Sequence, residues 1–176
     1  MKIGEYKIID DYLSKEDLKL VQQQLISNTF PYFFIKEIND RDNKNFYFDH
    51  HLFNGELYSP FFKDVWSIIE KNRYKFLDED KDLKLIRAKV NCYPRTNKVE
   101  MHGPHKDYPL KDNLVALFFV NTTDAPTYIM PDTQIDNIEN RLVLFNGHTD
   151  HSSSSPTDSK VRVTININYQ EILKGQ

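Results

Sequence analysis

The stretch Val161-Arg162-Val163-Thr164-Ile165-Asn166-Ile167-Asn168-Tyr169 decides the fold. Apolar and polar residues alternate through it without a break, so it reads as a strand with one apolar and one polar face. The polar face carries a guanidinium, a hydroxyl and two amides in a row. Either that face lines a closed sheet and holds a polar ligand, or the apolar face is inside and Arg162 is solvated. Working outward, the two-residue period starts near Leu83. It gives strands over Leu85–Tyr93, Val99–Tyr108, Leu114–Asn121, Thr127–Met130, Gln134–Ile138, Leu142–Phe145 and Asp150–Ser154. Turn residues such as Pro131-Asp132 and Asn146-Gly147 separate several of them.

Before Leu83 the pattern differs. Tyr6–Ile9 reads as a short strand. Ser14 reads as the N-cap of a helix over Lys15–Ser27, with Leu18, Val21 and Leu25 at helical spacing. Ser59-Pro60 starts a second helix, whose apolar face is Phe62, Val65, Trp66, Ile69 and Phe76. A charged loop, Asp78–Asp82, ends it. Between the helices, Phe30–Lys36 and Asn45–Phe53 are aromatic-rich and extended, joined by a polar loop over Asn39–Asn43. They form either a lid over a barrel mouth or a hairpin that widens one sheet. Two helices followed by eight strands predict a mainly β fold. It is a double-stranded β-helix, a jelly-roll or cupin-like barrel, with both helices packed on one sheet. A β-sandwich without a pocket fits the same pattern. No Pro/Gly-rich seam divides the 176 residues. A single domain over 1–176 is expected, with 1–82 as helical support and candidate lid and 83–170 as the barrel.

Composition narrows the class. A hydrophobic content of 39 % is too high for a disordered chain, and a net charge of −3 speaks against a general nucleic-acid binder. No apolar run reaches membrane-spanning length and the first residues lack a signal pattern, so a soluble, cytoplasmic protein is expected. The one cysteine, Cys92, leaves no internal disulfide and no multi-cysteine zinc site.

The six histidines fall into the pairs His50/His51, His102/His105 and His148/His151. In His105-Lys106-Asp107, an imidazole and a carboxylate two residues apart share one face of a strand. A distant histidine, His148 or His151, completes three ligands. Two histidines and one carboxylate leave open positions on an ion, the facial arrangement of non-haem Fe(II) oxygenases. His148 and His151 differ by an odd number and face opposite ways on a regular strand. His148 follows Asn146-Gly147 and is expected in the turn, which favours His151. His102, also of opposite parity to His105, is expected at the rim or the surface. A zinc site from four histidines would need both strands to break their alternation.

His105-x-Asp107, a histidine in His148-Thr149-Asp150-His151, and Arg162 eleven residues past His151 resemble the 2-oxoglutarate/Fe(II)-dependent dioxygenase superfamily. Val90-Asn91-Cys92-Tyr93-Pro94 and Asn140-Arg141-Leu142-Val143-Leu144-Phe145 are similar to its prolyl 4-hydroxylase branch, and small phage-carried members look most alike. The resemblance covers roughly Leu83–Tyr169. It implies Fe(II) bound by His105, Asp107 and His151. It also implies 2-oxoglutarate anchored on Arg162, with Thr164 and Tyr93 as further contacts, and O2 as oxidant. Two departures stand out. Asp124-Ala125-Pro126-Thr127 replaces a Gly-Gly-x-Thr turn, and Phe118-Phe119 stands where relatives offer a second tyrosine. The implied activity is hydroxylation of a C–H bond with conversion of 2-oxoglutarate to succinate and CO2. A peptidyl-proline is the first expected substrate; a free amino acid, another small molecule or a nucleobase is the alternative. Residues expected on the substrate side are Arg95, His102, Lys106 and Tyr108, with the aromatic stretch Phe30–Tyr58. A jelly-roll binding module without iron and a phage structural protein are the readings from other classes. The sequence leaves the oligomeric state open.

Overall fold

The computed structural model describes residues 1–38, 44–77, 81–107 and 113–173. The loop expected over Asn39–Asn43, most of the charged loop after the second helix, and Tyr108 lie outside the described residues. In chain order the elements are β1 (Tyr6–Ile9), α1 (Lys15–Leu25), β2 (Phe33–Ile35), β3 (Tyr47–Asn54), β4 (Leu57–Tyr58) and α2 (Phe62–Glu70). Then follow β5 (Lys81–Pro94), β6 (Glu100–Met101), β7 (Asn113–Phe119), β8 (Thr127–Ile129), β9 (Thr133–Ile135) and β10 (Leu142–Asn146). The chain ends in β11 (His151–Ser152), β12 (Ser154–Ser155) and β13 (Val161–Leu173).

Every strand pair is antiparallel. A large sheet runs in the order β1-β10-β7-β13-β5-β3-β2, with β4 beside β3. Facing it are a three-stranded sheet, β11-β8-β9, and the pair β12-β6. The jelly-roll is therefore open: its strands form separate hydrogen-bonded sheets, not one closed barrel. The short strands are the reason, because two- and three-residue ladders cannot carry hydrogen bonding around a circumference.

The alternation on β13 resolves in favour of a polar interior, and both faces are covered. Val163, Ile165, Ile167 and Tyr169 join Ala88, Val90 and Cys92 of β5 in the main core, under Val21, Leu25, Val65 and Ile69 of the helices. Arg162, Thr164, Asn166 and Asn168 are buried on the opposite face. The interior has two halves. Beside β7 and β10 it is apolar, filled by Val115, Leu117, Phe119, Val143 and Phe145 against Ile129 and Ile135 of the small sheet. Beside β5 and β13 it is polar, and the cavity lies there.

The helices differ slightly from expectation. Ser14 caps α1, its hydroxyl accepting from the Asp17 N–H at 3.1 Å. The second helix starts two residues later than Ser59-Pro60 suggests, since Pro60 and Phe61 form a turn closed by Phe62 N–H on the Ser59 carbonyl at 2.9 Å. Phe76 follows a separate 3-10 turn, Arg73–Lys75, and still packs on the core. The aromatic stretch forms the hairpin β2–β3 at the edge of the large sheet, with Phe33 and Phe34 both 60 % exposed. Among the described residues no helix is long and apolar enough to cross a membrane.

Candidate active site

Two strands expected to be continuous are broken, and the breaks build the site. Glu100 and Met101 pair with Ser155 and Ser154, and the His102 N–H meets the Ser153 carbonyl at 2.9 Å. Past Gly103-Pro104, His105 pairs with His151 through reciprocal N–H···O bonds of 2.9 Å. One side therefore carries one more residue than the other, a bulge where Pro104 has no N–H to give. A bulge reverses the alternation, which corrects the expectation for His102. His102 is buried, with ring nitrogens 2.8 Å from Ser153 Oγ and 3.1 Å from Ser155 Oγ. It supports the site from behind and does not stand at the rim.

The same bulge points His105 inward, toward His151. The two rings lie 4.4 Å apart between centroids. Ligand atoms of His105, Asp107 and His151 all fall within 4.8 Å of one another, close enough to hold one metal ion. His151 Nδ1 lies 3.1 Å from the Thr149 carbonyl and His105 Nδ1 lies 3.4 Å from that of Gly103. An Nδ1–H aimed at a carbonyl fixes the tautomer and puts the ring's lone pair on Nε2. Burial, then the neighbouring His151, push the His105 imidazole down to about 4, so it is neutral and able to ligate near pH 7. His148 sits in the turn after β10, with its N–H on Asn146 Oδ1 at 2.9 Å, and stays out of the cluster.

The Asp107 side chain is covered and held at both oxygens. Arg87 donates to Oδ1 at 3.2 Å; Asn166 and Asn168 donate to Oδ2 at 3.0 and 3.3 Å. Burial by itself raises this carboxyl. The neighbouring His151 imidazole, the Arg87 guanidinium, His105 and the Asn166 amide outweigh it and hold the group well below the usual carboxylate range; near pH 7, where His105 is neutral, the guanidinium and the amide keep it ionised. Asp107 is thus a fixed anion.

Arg162 lies in the same cavity, of about 310 Å³, which Tyr93, Thr164, His105, Asp107 and His151 also line. Its Nε donates to Asn137 Oδ1 at 2.9 Å, Nη1 to the Ser154 carbonyl at 3.1 Å and Nη2 to Thr127 Oγ1 at 2.6 Å. The guanidinium is held over the rings of Tyr93 and Phe119, each 5.6 Å from its carbon. It is 1 % exposed, and no carboxylate among the described residues pairs with it. Burial lowers its pKa to about 10, which still leaves it charged at neutral pH. Tyr93 stacks on Tyr47 at 5.5 Å and pairs with Arg162 in register. Phe119 occupies the inner position on β7, so the missing second tyrosine is replaced by a ring that the guanidinium covers.

Sequence reasoning brought His105, Asp107, His151, Arg162, Thr164 and Tyr93 to one place, and the fold does so. It passed over Arg87, Lys89 and Asn91. The signal was present: Arg87, Lys89, Asn91 and Tyr93 alternate with Ala88, Val90 and Cys92, the pattern that drew attention to Val161–Tyr169. Lys106 lines the cavity on its outer side and lies 3.6 Å from Asp150. Arg95 does not line the cavity.

No protein-family model matches the sequence, and no curated protein matches it. Solved structures do. A prolyl hydroxylase from Trichoplax adhaerens, in complex with a hypoxia-inducible-factor peptide fragment, aligns with a TM-score of 0.66 at 18 % identity. The match covers 95 % of this chain and 84 % of that one. The viral collagen prolyl hydroxylase of Paramecium bursaria Chlorella virus-1, as its 2-oxoglutarate complex, gives 0.61 at 14 % identity over 93 % and 94 %. An oxidoreductase of the 2OG-Fe(II) oxygenase family from Burkholderia pseudomallei gives 0.69 at 8 % identity over 94 % and 84 %. At these identities the likeness is one of fold: the chain has the jelly-roll fold found in 2-oxoglutarate/Fe(II) oxygenases.

Proposed function

We propose that the protein is a 2-oxoglutarate- and Fe(II)-dependent dioxygenase that hydroxylates a C–H bond. His105, Asp107 and His151 are the metal ligands and Arg162 anchors the co-substrate. The observation that carries this is the pairing, in one cavity, of a three-ligand cluster with a buried guanidinium that no carboxylate among the described residues pairs with. A charge left unpaired in the interior is costly, by several kcal/mol, so such a site is built to receive the opposite charge. A dicarboxylate of the size of 2-oxoglutarate meets both needs, one end on Arg162 and the other at the cluster.

Bound together, Fe(II) and 2-oxoglutarate supply the oxidising power, as O2 is activated, the keto acid becomes succinate and CO2, and C–H becomes C–OH. The chain supplies the rest. The Thr149 and Gly103 carbonyls set the two imidazoles with Nε2 inward. Arg87, Asn166 and Asn168 keep Asp107 ionised and stationary. Thr164 and Tyr93 line the same cavity as the guanidinium and add polar contacts to the co-substrate. Leu117 and Phe119 keep water from that end.

A peptidyl-proline substrate draws its support from the fold likeness to prolyl hydroxylases; a free amino acid is the second reading, favoured by the polar wall taken up below. The activity is tested by following succinate from 2-oxoglutarate under air with added Fe(II). Wild type should form it and lose the ability with a chelator, and His151→Ala should form none. Equal turnover by His151→Ala would contradict the ligand set.

A further inference from the structure

The cavity wall beside the metal cluster is more polar than a prolyl ring calls for. On β5 the inward residues after Arg87 are Lys89, Asn91 and Tyr93. Arg87 serves Asp107 and Tyr93 serves the guanidinium. Neither the cluster nor Arg162 uses the other two. Lys89 Nζ donates to the Tyr47 hydroxyl at 2.9 Å and forms an ion pair with Asp49 at 3.5 Å, which leaves one of its donors for a ligand. An ammonium carries three donors. Asn91 is 4 % exposed, and its Oδ1 has no hydrogen-bond partner. A buried acceptor in that state needs an N–H or O–H.

2-Oxoglutarate as a dianion has no donor to give Asn91. A peptidyl-prolyl residue has none of its own, because its nitrogen is a tertiary amide and the N–H groups of a peptide lie on the flanking residues, and it brings no charge for Lys89. A nucleobase offers donors but no carboxylate. A free α-amino acid carries both groups on one carbon. Its carboxylate suits Lys89 and its ammonium suits Asn91 Oδ1.

We propose that the substrate is a free α-amino acid, its carboxylate bound by Lys89 and its ammonium by Asn91; this rests on the oxygenase assignment above. The test uses the anaerobic protein loaded with Fe(II) and 2-oxoglutarate, read by the visible charge-transfer band of the chelated keto acid. The standard free L-amino acids are added one at a time, and N-acetylated, C-terminally amidated Pro-Gly peptides in parallel. At least one free amino acid should shift the band, and its acetylated amide should not. Lys89→Gln should keep the band and need at least tenfold more amino acid for the same shift, with Lys89→Arg restoring most of the response. A band shifted only by the blocked peptides, or by none of these compounds, overturns the assignment. So does a Lys89→Gln response equal to wild type. Wild-type protein with no band at all contradicts the oxygenase reading itself, which separates the two failures.

Discussion

Asp107 accepts hydrogen bonds from three side chains, and that arrangement governs the residue-scale expectations. Removing Arg87 leaves the carboxylate with its two amide donors, so Arg87→Met should weaken metal binding by about 10- to 100-fold, the usual cost of losing a partner behind a ligand. A metal titration followed by calorimetry measures this, and affinity equal to wild type would show that Arg87 does not position Asp107. His151→Ala should lose tight metal binding and His148→Ala should keep it. Arg162 gives a different signature. Carboxylates of the right length should raise the melting temperature of wild type, since a ligand that binds only the folded state stabilises it. Arg162→Met should lose that shift. A charge-assisted pair contributes roughly 1.5–3 kcal/mol, so affinity for 2-oxoglutarate should fall about 10- to 150-fold. An equal shift in the variant would place the anion elsewhere. Cys92 gives a check on burial: the core pushes its thiol up to about 11, so it stays protonated at pH 8. Iodoacetamide should leave it untouched in native protein and alkylate it once the chain is unfolded. The ligands and Arg162 were legible because their spacing carries a chemical requirement. The alternation puts Arg87, Asn166 and Asn168 on polar strand faces but does not show their service to Asp107, because a donor behind a ligand is defined only by the strand register.

At the scale of elements, the joints between strands matter more than the strands. Asn140 has a positive φ of 64° and holds the segment before α1 by both ends of its amide, to Leu13 N–H at 2.8 Å and Leu13 C=O at 2.9 Å. Asn140→Ala removes both contacts and puts a poorly tolerated residue in the left-handed region, a loss of about 2–4 kcal/mol. Chemical denaturation with Asn140→Gly beside it separates the two terms, since glycine keeps the backbone freedom and loses only the bonds. Equal stability of all three proteins would contradict the clamp. Gly147 opens the turn that leads to His151, and a Cβ there would run into the side chain of Asn113. Gly147→Ala should therefore shift that turn and weaken metal binding as well as stability. The long elements were readable from period alone: α1, β5, β7 and β13 appear where alternation or helical spacing put them. The alternation predicts one strand over Asp150–Ser154, and the structure has two, β11 and β12. Val99–Tyr108 was read as continuous and is interrupted at Gly103-Pro104. A bulge costs one residue of register, and nothing in the local pattern of apolar residues announces it.

Across the whole molecule, one sheet serves two purposes. Its outer face is an apolar bed for α1 and α2, and its inner face grades from apolar at β7 and β10 to polar at β5 and β13. The fold class followed from sequence because both faces of β13 write their environment into the alternation. The open shape did not, since closure depends on how many ladder bonds the short strands make. The central claim is that His105, Asp107 and His151 hold a metal whose open positions take a keto acid anchored on Arg162. The most direct measurement is an anaerobic titration with Fe(II) and then 2-oxoglutarate, watching for the visible charge-transfer band. Wild type and His148→Ala should show the band, while His151→Ala shows none and Arg162→Met needs far more 2-oxoglutarate. No band in wild type, or an undiminished one in His151→Ala, would contradict the account.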